Sequence, residues 1–299
     1  MISGKEEDDE MTTRLYAVCL TKNESDIIEF CLLHAAKYCE KIFVLDNGSD
    51  DNTWELVNAL GRQNNVIVPF EKNACQYGVG LRGYIFNRVR DRFNTGDWVL
   101  ILDSDEFLEV NPWNCIAYCE RRGFDLVFAL QAQFYITRKD LTAAWFKNGS
   151  LPILSFQDLP KHYLINWKEP RLFRYHNRLV WPDMDSDGNP SQISYPQGLT
   201  RKRKRGLLNR HYQYRTLSQM QARIELRADL FQRTGRFKHN REKEFYSYIR
   251  DDRRLKTVGE GEIIQPTAMD FLRLHLIRRS KKFKRFFHNR TLETRPVDL

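Results

Sequence analysis

Between Trp98 and Leu108 the chain reads WVLILDSDEFL, and no other stretch narrows the possible folds so far. Trp98, Val99, Leu100, Ile101 and Leu102 form an unbroken apolar run of strand length. A run this rich in branched and aromatic side chains reads as a strand buried on both faces. Asp103, Ser104, Asp105 and Glu106 follow at once. Three carboxylates cannot continue into the core, because an unpaired buried charge costs too much. They belong at the carboxyl edge of a sheet, where open α/β folds place their ligands.

The residues before this strand repeat its logic. LYAVCL (15–20) and IFVL (42–45) read as buried strands, the second ending on Asp46, and 66–70 reads as a third. Ile27, Ile28, Phe30, Cys31, Leu32, Ala35 and Tyr38 recur at helical spacing, and helices are expected again over 53–60 and 83–93. Polar turns fill the gaps, TKNES at 21–25 and NGSDD at 47–51. This alternation predicts an α/β domain of three layers around a sheet with a parallel core. Beyond Leu108 a helix is expected over 113–121 and a long strand over 126–136. Loops and short strands are expected over 137–198, then helices over 217–231, 242–249 and 269–287.

Composition excludes several classes. With 299 residues, 41% hydrophobic and 29% charged, the chain reads as globular and has room for a sizeable core. No run approaches the roughly 20 apolar residues that span a bilayer. Residues 1–13 (MISGKEEDDEMTT) lack the basic start and apolar centre of a secretory signal and read as a flexible acidic tail. Six cysteines without a CxxC pair point to reduced thiols in a cytoplasmic protein. Cys115 and Cys119, one helical turn apart, are the remaining opening for zinc. The formal charge of +9 is concentrated in RKRKR (201–205) and RRSKKFKRFFHNR (278–290). Such charge attracts phosphate-bearing partners: nucleic acid, anionic lipid or a nucleotide.

Two carboxylates separated by one residue at a strand end can share a divalent cation with substrate phosphates. Three segments then sharpen this reading: K-N-E at 22–24, D-N-G-S-D-D at 46–51 and W-V-L-I-L-D-S-D-E-F-L at 98–108. In that order and spacing the chain resembles glycosyltransferase family 2. The resemblance implies a GT-A fold: a Rossmann-like three-layer α/β/α domain with a mixed central sheet over 14–215, followed by a helical, basic C-terminal extension over 216–299. It implies a nucleoside-diphosphate-sugar donor of UDP or GDP type, a Mn²⁺ or Mg²⁺ ion, and inversion at the anomeric carbon. The acceptor would be a glycan or a lipid-linked saccharide, as in polysaccharide biosynthesis. Residue by residue, it places Lys22, Asn23 and Glu24 near the nucleoside, Asp46 and Asn47 on the base or ribose, and Asp103, Ser104 and Asp105 at the metal and diphosphate. Arg82 or Arg88 would face the diphosphate. EPRLFR (169–174) and NRHYQYRT (209–216) resemble later segments of the same family, making His211 the third metal ligand and Arg215 a phosphate partner. An acceptor base is expected after RLFR, at Asp185 or, second, Asp183.

Other patterns compete. Asp183-x-Asp185-x-Asp187-Gly188 begins like a calcium loop, but its twelfth position is Ser194 where a bidentate Glu is required. Gly78-x-Gly80-x-x-Gly83 matches the spacing of a dinucleotide fingerprint and would suit a nucleotide-dependent oxidoreductase. Seven residues separate it from the strand ending at Phe70, where none should intervene. The basic, aromatic C-terminal helix is expected to pack one face on the body or to lie on the inner face of an anionic membrane. Nucleic acid is not the expected partner, since no recognised binding module accompanies the charge.

Overall fold

The computed structural model describes residues 12–147, 152–234 and 248–277. The acidic tail, the helix expected over 242–249 (but for its last residues) and the basic run after residue 277 lie outside them. The first strands and helices alternate as expected: β1 (Leu15–Thr21), α1 (Ile28–Ala36), β2 (Lys41–Asp46), α2 (Thr53–Gln63), β3 (Ile67–Lys72), α3 (Leu81–Val89) and β4 (Trp98–Asp103). They continue as β5 (Glu106–Leu108), α4 (Pro112–Arg122), β6 (Leu126–Tyr135), a short α5 (Ala144–Lys147), β7 (His162–Arg174), β8 (Lys202–His211), α6 (Leu217–Thr234) and β9 (Lys256–Thr257). Residues 268–277 are also helical. None of the described helices is long and apolar enough to cross a membrane.

The strands form one mixed sheet in the order β3-β2-β1-β4-β7-β6-β8-β5, with β9 on β7. β1 to β4 run parallel, and β7 enters antiparallel to β4. Alternate side chains of β1 enter different cores. Leu15, Ala17 and Cys19 pack with α1, α2 and α4, whereas Tyr16, Val18 and Leu20 pack with α3 and Trp181. Helices on both faces explain why these strands are continuously apolar. The α/β class with a mixed central sheet is therefore observed.

One connection sets the curvature. β4 and β5 lie four inter-strand gaps apart along the sheet, which is about 19 Å if flat. Only Ser104 and Asp105 join them, a link that spans about 11 Å at most. The sheet must curl to bring its far edge back to the end of β4. The acid-bearing turn sits at that closure.

The region 137–198 departs from the expected loops and short strands, because β7 is a single strand of 13 residues. Pro170 hid it, since proline interrupts a strand pattern except at edges and bulges. Here the register shifts: Pro170 faces Phe128 and Leu172 faces Val127, which leaves Arg171 as the extra residue of a bulge. A bulge re-aims the side chain it carries. Arg171 is turned into the closure. The RKRKR run is not a loop either, but the first half of β8.

Candidate active site

The carboxyl ends of β1 and β4, the turn into β5, the middle of β7, the end of β8 and one face of α6 enclose a cavity of about 550 Å³. Seven carboxylates line it (Glu24, Asp26, Asp50, Asp51, Asp103, Asp105, Glu169), against the cations Lys22, Arg82, Arg223 and Arg227, with His211 beside them. Excess negative charge converging on one space suits a cation ligand.

The first two βα turns are stitched together. Asn23 takes φ 54, a left-handed conformation that asparagine tolerates better than most residues. Its N–H donates to Ser49 Oγ at 2.9 Å, its Oδ1 accepts from Asp50 N–H at 2.9 Å, and Glu24 N–H donates to Thr53 Oγ1 at 2.9 Å. Lys22 Nζ donates to the carbonyls of Asn47 and Gly48 at 3.1 and 3.2 Å. Lys22, Asn23 and Glu24 thus reach the cavity wall. Asp46 and Asn47 lie behind it, fully buried. Asp46 accepts the Ser49 N–H at 2.6 Å, while its Oδ2 and the Asn47 Oδ1 have no partner among the described residues. Asp50 and Asp51 stand at the wall instead.

Glu106 is the knot of the closure. Fully buried on β5, it accepts from Gln131 of β6 at 3.0 Å, Arg171 of β7 at 2.5 and 2.6 Å, and Asn209 of β8 at 2.8 Å. Asp103, Glu106 and Glu169 offer oxygens within 4.8 Å of one another, the spacing of a metal site. Arg171 already pairs with all three, at 2.5 to 2.7 Å. This cluster is a guanidinium cage first, a cooperative network with one cation at its centre.

Asp103 and Asp105 face different partners. Asp103 pairs with Arg82 and Arg171. Asp105 meets His211 Nε2 at 3.4 Å and Arg223 at 3.3 Å. Burial works to raise the Asp105 pKa, but His211 and Arg223 outweigh it and hold the carboxylate far below its ordinary range. Burial likewise works against protonated His211, and Asp105 reverses this, raising it. The expected donor set of Asp103, Asp105 and His211 lines one cavity without converging within 4.8 Å. Of the three, Asp103 keeps room for a hard divalent ion. Asp103 is 23% exposed at the cavity floor, and each of its oxygens keeps a lone pair beyond the one that Arg82 or Arg171 uses.

Arg215, expected at the diphosphate, does not line the cavity. It is fully buried and pairs with Glu24 and, at 2.7 Å, Asp26, while donating to the Tyr212 carbonyl at 2.8 Å. Asp183 and Asp185 also stand outside the lining. Asp185 Oδ1 caps its own turn, accepting from the N–H of Asp187 at 3.0 Å and of Asn189 at 2.8 Å. Gly78 and Gly80 serve that loop: a Cβ on Gly80 would lie 2.5 Å from both Asp183 O and Ser191 N. The glycines permit close packing rather than cradling a phosphate. Cys115 and Cys119 lie 3.9 Å apart, with no third ligand among the described residues.

Sequence reasoning missed Arg171, Glu169, Arg223 and Arg227. The first two sat in a quoted segment without a role. The arginines of α6 follow a helical period, four residues apart, which puts both on one face.

No family model matches the chain. Over 92 residues it is 34% identical to a Mycoplasma pneumoniae protein described as an uncharacterized glycosyltransferase. The match takes in 30% of this chain and 29% of that protein, so it spans under a third of the relative's length. Among solved structures, the chain is similar to S. aureus TarS, with a TM-score of 0.41 and 12% identity over 76% of this chain and 68% of that one. It is similar also to a mannosyltransferase from Pyrobaculum calidifontis solved with GDP-Man and Mn²⁺ (TM-score 0.38, 14% identity, 77% and 65% covered).

Glu24 gives the cavity wall a pH signature. Burial raises its pKa from 4.5 to about 7, against the pull of Arg215 and Arg223. An acid whose folded value is raised contributes stability that is full below its unfolded value and lost as pH rises through the folded one. The stability difference between wild type and Glu24→Gln should therefore fall in wild type's disfavour from pH 4.5 to about 7. Thermal midpoints of both proteins across that window would measure it. A difference independent of pH would mean that Glu24 is ionised throughout.

Proposed function

We propose that the protein is a glycosyltransferase of GT-A type that moves a sugar from a nucleoside-diphosphate-sugar to a hydroxyl acceptor, with a divalent metal and inversion at the anomeric carbon. The observation that carries this reading is the closure of the sheet. It sets Asp103 and Asp105 beside His211 in an acid-rich cavity, next to the locked turns at Lys22–Glu24 and Asp50–Asp51. The 92-residue likeness to a protein described as a glycosyltransferase supports it. So do six free cysteines, which suit a cytoplasmic enzyme.

Asp103, Asp105 and His211 would hold Mn²⁺ or Mg²⁺, and the ion would supply Lewis-acid stabilisation of the departing diphosphate. His211 can offer Nε2 only if Nδ1 carries its proton. That requires the Gln133 side chain, whose nitrogen lies 2.8 Å from Nδ1, to present its oxygen instead. Arg82, Arg223 and Arg227 line the same space and would meet diphosphate oxygens. The nucleoside would lie along Lys22, Asn23 and Glu24, while Asp46, buried behind that turn, would shape the second loop by accepting the Ser49 N–H.

For the base we assign Glu169 ahead of Asp185 or Asp183. Its side chain is 36% exposed in the cavity, and one guanidinium serves it together with Asp103 and Glu106. Burial works to raise its pKa, but Arg171 outweighs this and lowers it, so the carboxylate stands ionised and able to accept a proton. Asp185 is spent on its own turn, outside the cavity lining.

The test is a donor-hydrolysis and transfer screen of UDP- and GDP-sugars with and without Mn²⁺. Metal-dependent turnover of one donor is expected. Glu169→Gln should then slow transfer by about 10²–10⁴ with nucleotide affinity retained, while Asp185→Asn stays near wild type. The reverse ranking would return the base to the loop. Stabilisation by NAD without metal would sink the transferase reading itself.

A further inference from the structure

The sheet end opposite the cavity carries charge that the site does not use. Strand β8 delivers His211 to the cavity at one end and begins in RKRKR at the other, roughly 30 Å away at strand rise. Its first half pairs with β6 alone, so it is a sheet edge. Arg201, Lys202, Lys204 and Arg205 are exposed there, as are Arg121 and Arg122 at the adjoining end of α4. Neither these six nor Arg203 takes part in an ion pair among the described residues. Instead, Arg203 lies over the Tyr118 ring at 4.0 Å and Arg205 over Phe271 at 4.3 Å. Phe271 belongs to the helix at 268–277, which therefore lies against this edge. The helix is anchored by buried Asp270, which pairs with Lys256 and caps Thr267 at 2.8 Å. Its outer side bears Met269, Leu272 and Leu276, which are 64, 49 and 55% exposed. That spacing is one helical stripe.

We propose that the β8 edge, the end of α4 and the outer face of helix 268–277 form a docking surface for an anionic lipid bilayer. Met269, Leu272 and Leu276 enter the headgroup layer, and the unpaired lysines and arginines meet lipid phosphates. An apolar stripe flanked by cations is how an amphipathic helix holds a membrane interface. Nucleic acid would satisfy the charge but gain nothing from the leucines. Its bases would also find Tyr118 and Phe271 already covered by guanidinium groups. The surface stands apart from the cavity, so this inference does not depend on the transferase reading.

The test is co-sedimentation of the full chain with phosphatidylcholine vesicles with and without phosphatidylglycerol. Wild type should bind only the anionic vesicles, and less as salt rises. Lys202→Glu/Lys204→Glu should weaken binding by about tenfold or more, and Leu272→Glu/Leu276→Glu by a similar factor. Thermal midpoints and circular dichroism of both variants should match wild type, showing an intact fold. Failure of wild type to bind would overturn the proposal. So would binding unchanged in both variants, which would move the contact to residues 278–299, or RNA binding that is insensitive to the leucine changes.

Discussion

Asp105→Asn is expected to abolish the Mn²⁺-dependent response to UDP or GDP and to lower kcat/KM for the donor by about 10³, the several kcal/mol that a Lewis-acid metal contributes. The fold should survive. An asparagine oxygen still accepts from His211 and Arg223, the two partners that Asp105 meets at 3.4 and 3.3 Å. What disappears is the negative charge that a hard cation needs. Glu106→Gln makes a useful contrast, because Glu106 is bonded on both oxygens to β6, β7 and β8. That change should lower stability first. Metal titration by thermal shift, beside denaturant melts, separates the two effects. An Asp105→Asn protein with the wild-type metal response would shift the ion to Asp103 and Glu169, with Arg171 displaced. No response in either protein would leave the diphosphate to Arg82, Arg223 and Arg227, as in a metal-free transfer.

The sequence made the first half of the fold legible because buried parallel strands advertise themselves. LYAVCL, IFVL and WVLIL are apolar on both faces, and each ends where a polar turn begins. The antiparallel half was less legible for specific reasons. Pro170 and Glu169 break the pattern of β7, yet they sit beside the bulge that aims Arg171. RKRKR reads as a solvated basic run, and charged side chains are what a strand edge carries to avoid pairing with other chains. At the site, local sequence revealed the acids but not their counter-ions. Arg171, Arg223 and Arg82 reach Asp103 and Asp105 from three other elements, across 68, 118 and 21 residues respectively. No local pattern encodes which guanidinium answers which carboxylate, because the curl of the sheet decides it.

Arg215→Met tests that point most severely, since Arg215 was expected at the diphosphate and lies fully buried. Its guanidinium serves Glu24 and Asp26 in the first βα turn and the Tyr212 carbonyl at the end of β8. Methionine fills similar volume but leaves two carboxylates without their shared cation. Removing one partner of a buried pair costs about 3–5 kcal/mol, or a fall in Tm of about 10 °C for a chain of this size. Arg215→Lys should fall between, because an ammonium keeps the charge but cannot fork between two carboxylates. The deficit should shrink as pH falls, since protonating Glu24 removes one stranded charge, and Glu24 already titrates near 7. By the same logic, Glu24→Gln added to Arg215→Met should restore part of the loss, a coupling that a double-mutant cycle in urea measures directly. A raised donor KM with unchanged stability would instead make Arg215 a phosphate ligand.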